Sequence, residues 1–165
     1  MLVGVPLSAG AAPALFSLAR ALGIPSAAEA LLASRLDEAN ALFFATEDAG
    51  AERMVKVYLE FWDKVRARVR AGDPSPQLLH LGVKWSSARP GHHEEARYTC
   101  RPLLSLREVL RRMGDGYPAD VPTALTIARD IVRQGALRRP EAAFLYLEAS
   151  EAGNPRRSFD VNLYA

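Results

Sequence analysis

Apolar residues recur along this chain in two rhythms, and the points where one gives way to the other divide it into elements. Leu15, Leu18 and Leu22 repeat at one-face spacing, with Pro13 suited to a first turn and Gly23 to a stop, so a helix is predicted over Ala12 to Leu22. Ser26-Ala-Ala-Glu29 has the form of a capping box, in which serine and glutamate satisfy each other's orphan amides, and predicts a second helix to about Asn40. The period then drops to two: Ala41 to Glu47 and Arg53 to Glu60 read as a hairpin turning through Asp48-Ala-Gly50. Trp62 to Ala71, with Val65 and Val69 spaced by four, reads as a helix closed by Gly72, Pro74 and Pro76. Gln77 to Trp85 and Ala96 to Leu103 form a second hairpin across the polar loop Ser86 to Glu95. Ser105-Leu-Arg-Glu108 repeats the capping box, opening a short helix through Met113 that closes at Gly114. Val121, Ala124, Leu125, Ala128, Ile131 and Val132 trace the stripe of a helix reaching Leu137. A third hairpin pairs Ala142 to Ser150 with Arg157 to Tyr164 around the turn Glu151 to Arg156.

The resulting order, αα-ββ-α-ββ-αα-ββ, repeats at roughly 45 to 60 residues, with helices returning between hairpins. It predicts a single α+β domain over residues 1–165, an antiparallel sheet with helices on one face and the other face free to line something. No linker or low-complexity segment interrupts it.

Side chains alternate across a strand, so each strand divides into two faces. Lys56, Tyr58 and Glu60 oppose Val55, Val57, Leu59 and Phe61; His80, Gly82, Lys84 and Ser86 oppose Leu79, Leu81, Val83 and Trp85. Arg97, Thr99 and Arg101 oppose Tyr98, Cys100 and Pro102; Phe144, Tyr146 and Glu148 oppose Leu145 and Leu147; Asp160, Asn162 and Tyr164 oppose Phe159, Val161 and Leu163. Polar faces looking into water are how open antiparallel sheets are ordinarily made. Cations combined with phenols and carboxylates also suit an anion held beside an aromatic or cationic group.

Composition narrows the class. A chain of 165 residues that is 49% apolar can bury a core without staples, and its single cysteine, Cys100, forms no internal disulfide, so a reducing compartment, the cytoplasm, is expected. The apolar stretch Ala11 to Ala33 is broken by Arg20, Gly23, Pro25, Ser26 and Glu29, which predicts neither a membrane span nor a signal peptide. With 21 basic and 19 acidic residues the formal charge is only +2, so general attraction to nucleic acid is not expected.

The alternation of helices with antiparallel hairpins, and the strand Val55-Lys-Val-Tyr-Leu-Glu-Phe61, resemble the aromatic prenyltransferases of the ABBA type, including the indole prenyltransferases related to dimethylallyltryptophan synthase. The resemblance covers most of the chain as topology and short strand motifs as sequence. It implies helices ringing an antiparallel barrel whose lumen holds an isoprenoid diphosphate beside an aromatic, indole-like acceptor. By resemblance, Lys56, Lys84, Arg97 and Arg101 bind the diphosphate, since fixed cations stabilise the charge that grows on the leaving group. Tyr58, Tyr146 and Tyr164 shield the allyl cation, and Glu47 or Glu60 accepts a hydrogen bond from the acceptor's ring N–H or acts as base. No Asp-Asp-x-x-Asp motif occurs, which matches the metal-independent members, and no cofactor is implied. The family's barrel needs about five hairpins to close, whereas three are predicted here and the sequence stops in an apparent strand at Tyr164-Ala165. Three expectations follow: a domain incomplete at its C-terminus, a barrel completed by another copy or a second chain, or an open sheet.

That last expectation carries the alternative reading, a non-catalytic module that binds a small anion or a partner protein. Lys64, Arg66, Arg68 and Arg70 form a basic helix surface that reads as a solvated face before it reads as an RNA site. His92-His93-Glu94-Glu95 lacks the spacing of a zinc site, and Cys100, on the apolar side of its strand, reads as a small hydrophobe rather than a nucleophile.

Overall fold

Strands with one apolar side cannot stand alone in water, and here they join edge to edge beneath helices that bring their own apolar stripes. A computed structural model describes residues 2–7, 11–49, 52–116, 122–138 and 144–162. In chain order the elements are β1 (Leu2–Pro6), α1 (Ala11–Ala21), α2 (Ser26–Ala33), a 3-10 turn (Leu36–Glu38), β2 (Ala41–Ala49), β3 (Glu52–Glu60), α3 (Trp62–Arg70), β4 (Gln77–Ser86), β5 (His93–Leu104), α4 (Leu106–Gly116), α5 (Pro122–Arg138), β6 (Phe144–Glu151) and β7 (Asn154–Asn162). The strands follow one another in a seven-stranded antiparallel sheet of order β1-β2-β3-β4-β5-β6-β7, which is not closed. Among the described residues no helix is long and apolar enough to cross a membrane.

The chain divides into two compact units. The first comprises Met1–Asp63, Leu79–Arg97 and Glu151–Gly153; the second comprises Lys64–Leu78, Tyr98–Ser150 and Asn154–Ala165. In the first unit the register aligns the apolar sides of three strands in rows, Leu42 with Leu59 and Leu81, Phe44 with Val57 and Val83, Val55 with Trp85. Phe16 and Ala19 of α1 and Ala28 and Leu32 of α2 are buried with them. The Trp85 indole N–H donates to the Leu22 carbonyl at 2.9 Å, which satisfies a polar group inside that core and one orphan carbonyl at the end of α1. Asn40 ties the start of β2 to α3: its side chain accepts from the Asp63 backbone N–H at 2.8 Å and donates to the Asp63 carboxylate. The core of the second unit gathers Val109 and Met113 of α4, Val132 of α5, Leu104, Phe144 and Tyr146, with Phe159 and Val161 of β7 at its margin.

Several boundaries differ from those the pattern predicts. β1 carries no sequence signal of its own, because five residues containing Gly4 and Pro6 show no clear alternation; its pairing with β2 through Val3 and Phe44 defines it, and a proline is tolerated where no further strand needs its N–H. The second helix stops at Ala33, where the Ser34 hydroxyl bonds back to the Leu31 carbonyl and the chain tightens into the 3-10 turn. Ser26 caps nothing: Pro25 is the N-cap, and Glu29 instead takes Arg20 at 2.6 Å. At Ser105 the capping box forms in full, with the Ser105 N–H donating to Glu108 at 2.9 Å and the Glu108 N–H to the serine hydroxyl at 3.3 Å. α4 runs through Gly114, whose missing Cβ makes room for the Arg129 guanidinium on its way to the Leu110 carbonyl. On β6 Phe144 and Tyr146, predicted to share the polar side with Glu148, instead supply the core against α4 and α5, and Leu145 on the other side is buried as well.

Candidate functional site

The polar face of the first unit is organised by the same register that builds its core. Reading across β2, β3 and β4, one row holds Ala45, Lys56 and Lys84; the next holds Phe43, Tyr58 and Gly82; the third holds Ala41, Glu60 and His80. Residues two apart on a strand lie about 7 Å apart, so these rows are spaced by that step. In the aromatic row each ring lies over a glycine: a Cβ on Gly4 of β1 would collide with the Phe43 ring, and one on Gly82 with the Tyr58 ring. The glycines let both rings lie flat against the sheet, and Phe43 also meets His80 edge-on at 5.9 Å.

Each lysine of the cationic row carries a carboxylate. Lys56 pairs with Glu47 and Lys84 with Glu151, the second pair being the better screened, with 14% of the lysine side chain exposed. The hydrogen bond from Lys56, then its charge, holds the Glu47 carboxyl below the usual carboxylate range. Glu60 has no hydrogen bond or ion pair to its carboxyl among the described residues, and partial burial pushes that carboxyl above its ordinary range. Burial pushes the His80 imidazole the other way, towards its neutral form.

The structure therefore brings together Lys56, Lys84, Tyr58, Glu47 and Glu60 on one face of one unit. Arg97, in the same unit, is 57% exposed and among the described residues reaches only Glu95, at 3.8 Å. Arg101 and Tyr146 belong to the second unit. There Arg101 donates to Glu148 at 2.9 Å, and Tyr146 stacks on Phe159 with centroids 5.4 Å apart. Burial first, then the charge of Glu148, pushes the Tyr146 phenol to about 12. Tyr164 lies outside the described residues. Two members of the face escaped sequence reasoning: Phe43, whose strand shows alternation only once β3 is seen opposite it, and Glu151, which is 67 residues from Lys84 and read as a turn.

The remaining signals resolve simply. Arg68 of the basic helix turns onto Asp73 and the Gln77 side-chain oxygen, bracing the loop after α3. Among the described residues no group of three or more metal-ligating side chains gathers. Cys100 is fully buried, with its thiol pushed up to about 11 by desolvation. Comparison of the chain with protein-family models, curated proteins and solved structures finds no match.

Proposed function

We propose that the polar face of the first unit binds an isoprenoid diphosphate and an aromatic, indole-like acceptor, and that the protein transfers the allylic group from one to the other. The observation that carries this reading is the order of the three rows: paired cations, then flat aromatic rings, then a carboxyl without a partner among the described residues. A diphosphate on Lys56 and Lys84 sets its allylic carbon over Phe43 and Tyr58, about 7 Å along the strands. In the reaction the C–O bond of the allylic diphosphate breaks with its electron pair leaving on the diphosphate, and the lysines take up the growing charge. The ring faces of Phe43 and Tyr58 attract the allylic cation and exclude water. A ring carbon of the acceptor forms the new C–C bond and releases its proton. Glu60, held at the end of the rows, orients the acceptor through its ring N–H and is the base within reach of that proton.

A second reading rests on the lysines' counter-ions. With Glu47 and Glu151 already paired to them, a small anion that shares or displaces these carboxylates is bound and released without chemistry. Incubation of the full chain with dimethylallyl diphosphate and a panel of indoles, followed by mass analysis, separates the two. A product heavier by one prenyl unit, lost in Lys84→Gln, is expected. Calorimetric binding of the diphosphate with no product leaves only the binding module, and neither binding nor product overturns both.

A further inference from the structure

The second unit has a cavity of about 370 Å³ of its own, between the end of α4 and strands β6 and β7, and the prenyl-transfer reading makes no use of it. Its walls include Arg112, Asp115, Tyr146, Glu148, Ser158 and Phe159. Two of these groups are left with hydrogen-bonding capacity that folding ordinarily fills. Tyr146 is 2% exposed, yet its hydroxyl makes no hydrogen bond among the described residues and is not sealed from the cavity. Arg112 donates once, to Glu148 at 2.8 Å; its other N–H groups have no acceptor among the described residues, and its Nε is buried.

The two carboxylates of the cavity wall are both engaged. Both oxygens of Glu148 are taken, one by Arg112 and the other by Arg101, and Asp115 is taken by Arg111 at 2.8 Å. Among the described residues the ion pairs at its wall thus set three guanidinium groups, Arg112 in the lining and Arg101 and Arg111 behind it, against two carboxylates, and a guest with one negative charge completes that set. A dianion leaves an excess, and a cation meets no free carboxylate among the described residues of the wall. The volume lies near the lower end for small-molecule sites, which suits a guest of one ring, and the Tyr146–Phe159 pair offers it an aromatic wall.

We propose that this cavity binds a small aromatic monocarboxylate, its carboxylate held by the unused N–H groups of Arg112 and the hydroxyl of Tyr146, its ring against Phe159. The residues that line the cavity all belong to the second unit. Calorimetric titration of the full chain with phenylacetate tests it, with benzyl alcohol as the uncharged counterpart. Saturable binding of one phenylacetate per chain is expected, and benzyl alcohol is expected to bind at least about tenfold more weakly, because a charge-assisted pair is lost. Tyr146→Phe keeps the ring in the core and removes only the hydroxyl; it is expected to weaken phenylacetate by about tenfold. Arg112→Gln is expected to weaken it further, and Lys84→Gln to leave it unchanged. Absence of binding, equal binding of the alcohol, or full affinity in Tyr146→Phe overturns the proposal even if Arg112→Gln fails to fold. Loss of binding in Lys84→Gln overturns it too, by placing the guest on the other unit.

Discussion

Glu60 and His80 face each other across β3 and β4, and burial acts on them in opposite senses. A carboxyl whose folded-state pKa is raised stabilises the fold while protonated; that contribution is complete below its unfolded pKa and disappears as pH rises through the folded value. A buried imidazole whose pKa is lowered stabilises the fold above its unfolded pKa and loses that contribution as pH falls. Thermal unfolding of Glu60→Gln against the parent chain from acid to neutral pH checks the first. The variant is expected to gain stability relative to the parent as pH rises through and above the carboxylate range. A difference that does not change with pH would show that the Glu60 carboxyl is as well solvated folded as unfolded. The residues that surround these two were legible only singly. Alternation places Lys56, Tyr58 and Glu60 on one face, and His80 and Lys84 on another, whereas the register that sets Lys56 opposite Lys84 joins strands 28 positions apart, a pairing only the tertiary structure reveals.

Among the elements, two segments of one sequence form, Ser-x-x-Glu, fold differently. At Ser105 both side chains satisfy backbone amides; at Ser26 the glutamate has a stronger partner in Arg20, and Pro25 takes the N-cap. The motif records a capacity for capping, and the neighbours decide whether it is used. Ser105→Ala is expected to lower unfolding free energy by about 1 kcal/mol, and Ser26→Ala to change it by less than about 0.5 kcal/mol, both measured by urea denaturation. Strand β6 shows a different limit. Phe144-Leu-Tyr-Leu147 is apolar at every position, so alternation cannot choose its inner side; contact with Val109, Met113 and Val132 turns Phe144 and Tyr146 inward. β1 lies beyond the reach of pattern for the same reason that makes it a good edge: it is short, and it holds a glycine and a proline.

For the whole molecule, the single cysteine reports on integrity. Cys100 is fully buried in the second unit and its thiol is pushed up to about 11, so a disulfide reagent at neutral pH is expected to leave the native chain untouched and to titrate one thiol once it is unfolded in denaturant. Reaction at the same rate in native and denaturing buffer would show that the second unit opens freely. Length, composition and the two hydrophobic rhythms were enough to specify an α+β chain of antiparallel hairpins and intervening helices, because helix and strand periodicity is local and each stretch carries it in full. Tertiary structure alone decided which positions stand opposite one another, that the sheet includes β1 and stays open, and that Tyr146 and Arg101 join Glu148 in a unit separate from the lysine row. Those outcomes depend on residues far apart in sequence competing for the same partners and the same buried space, and no local pattern records who wins.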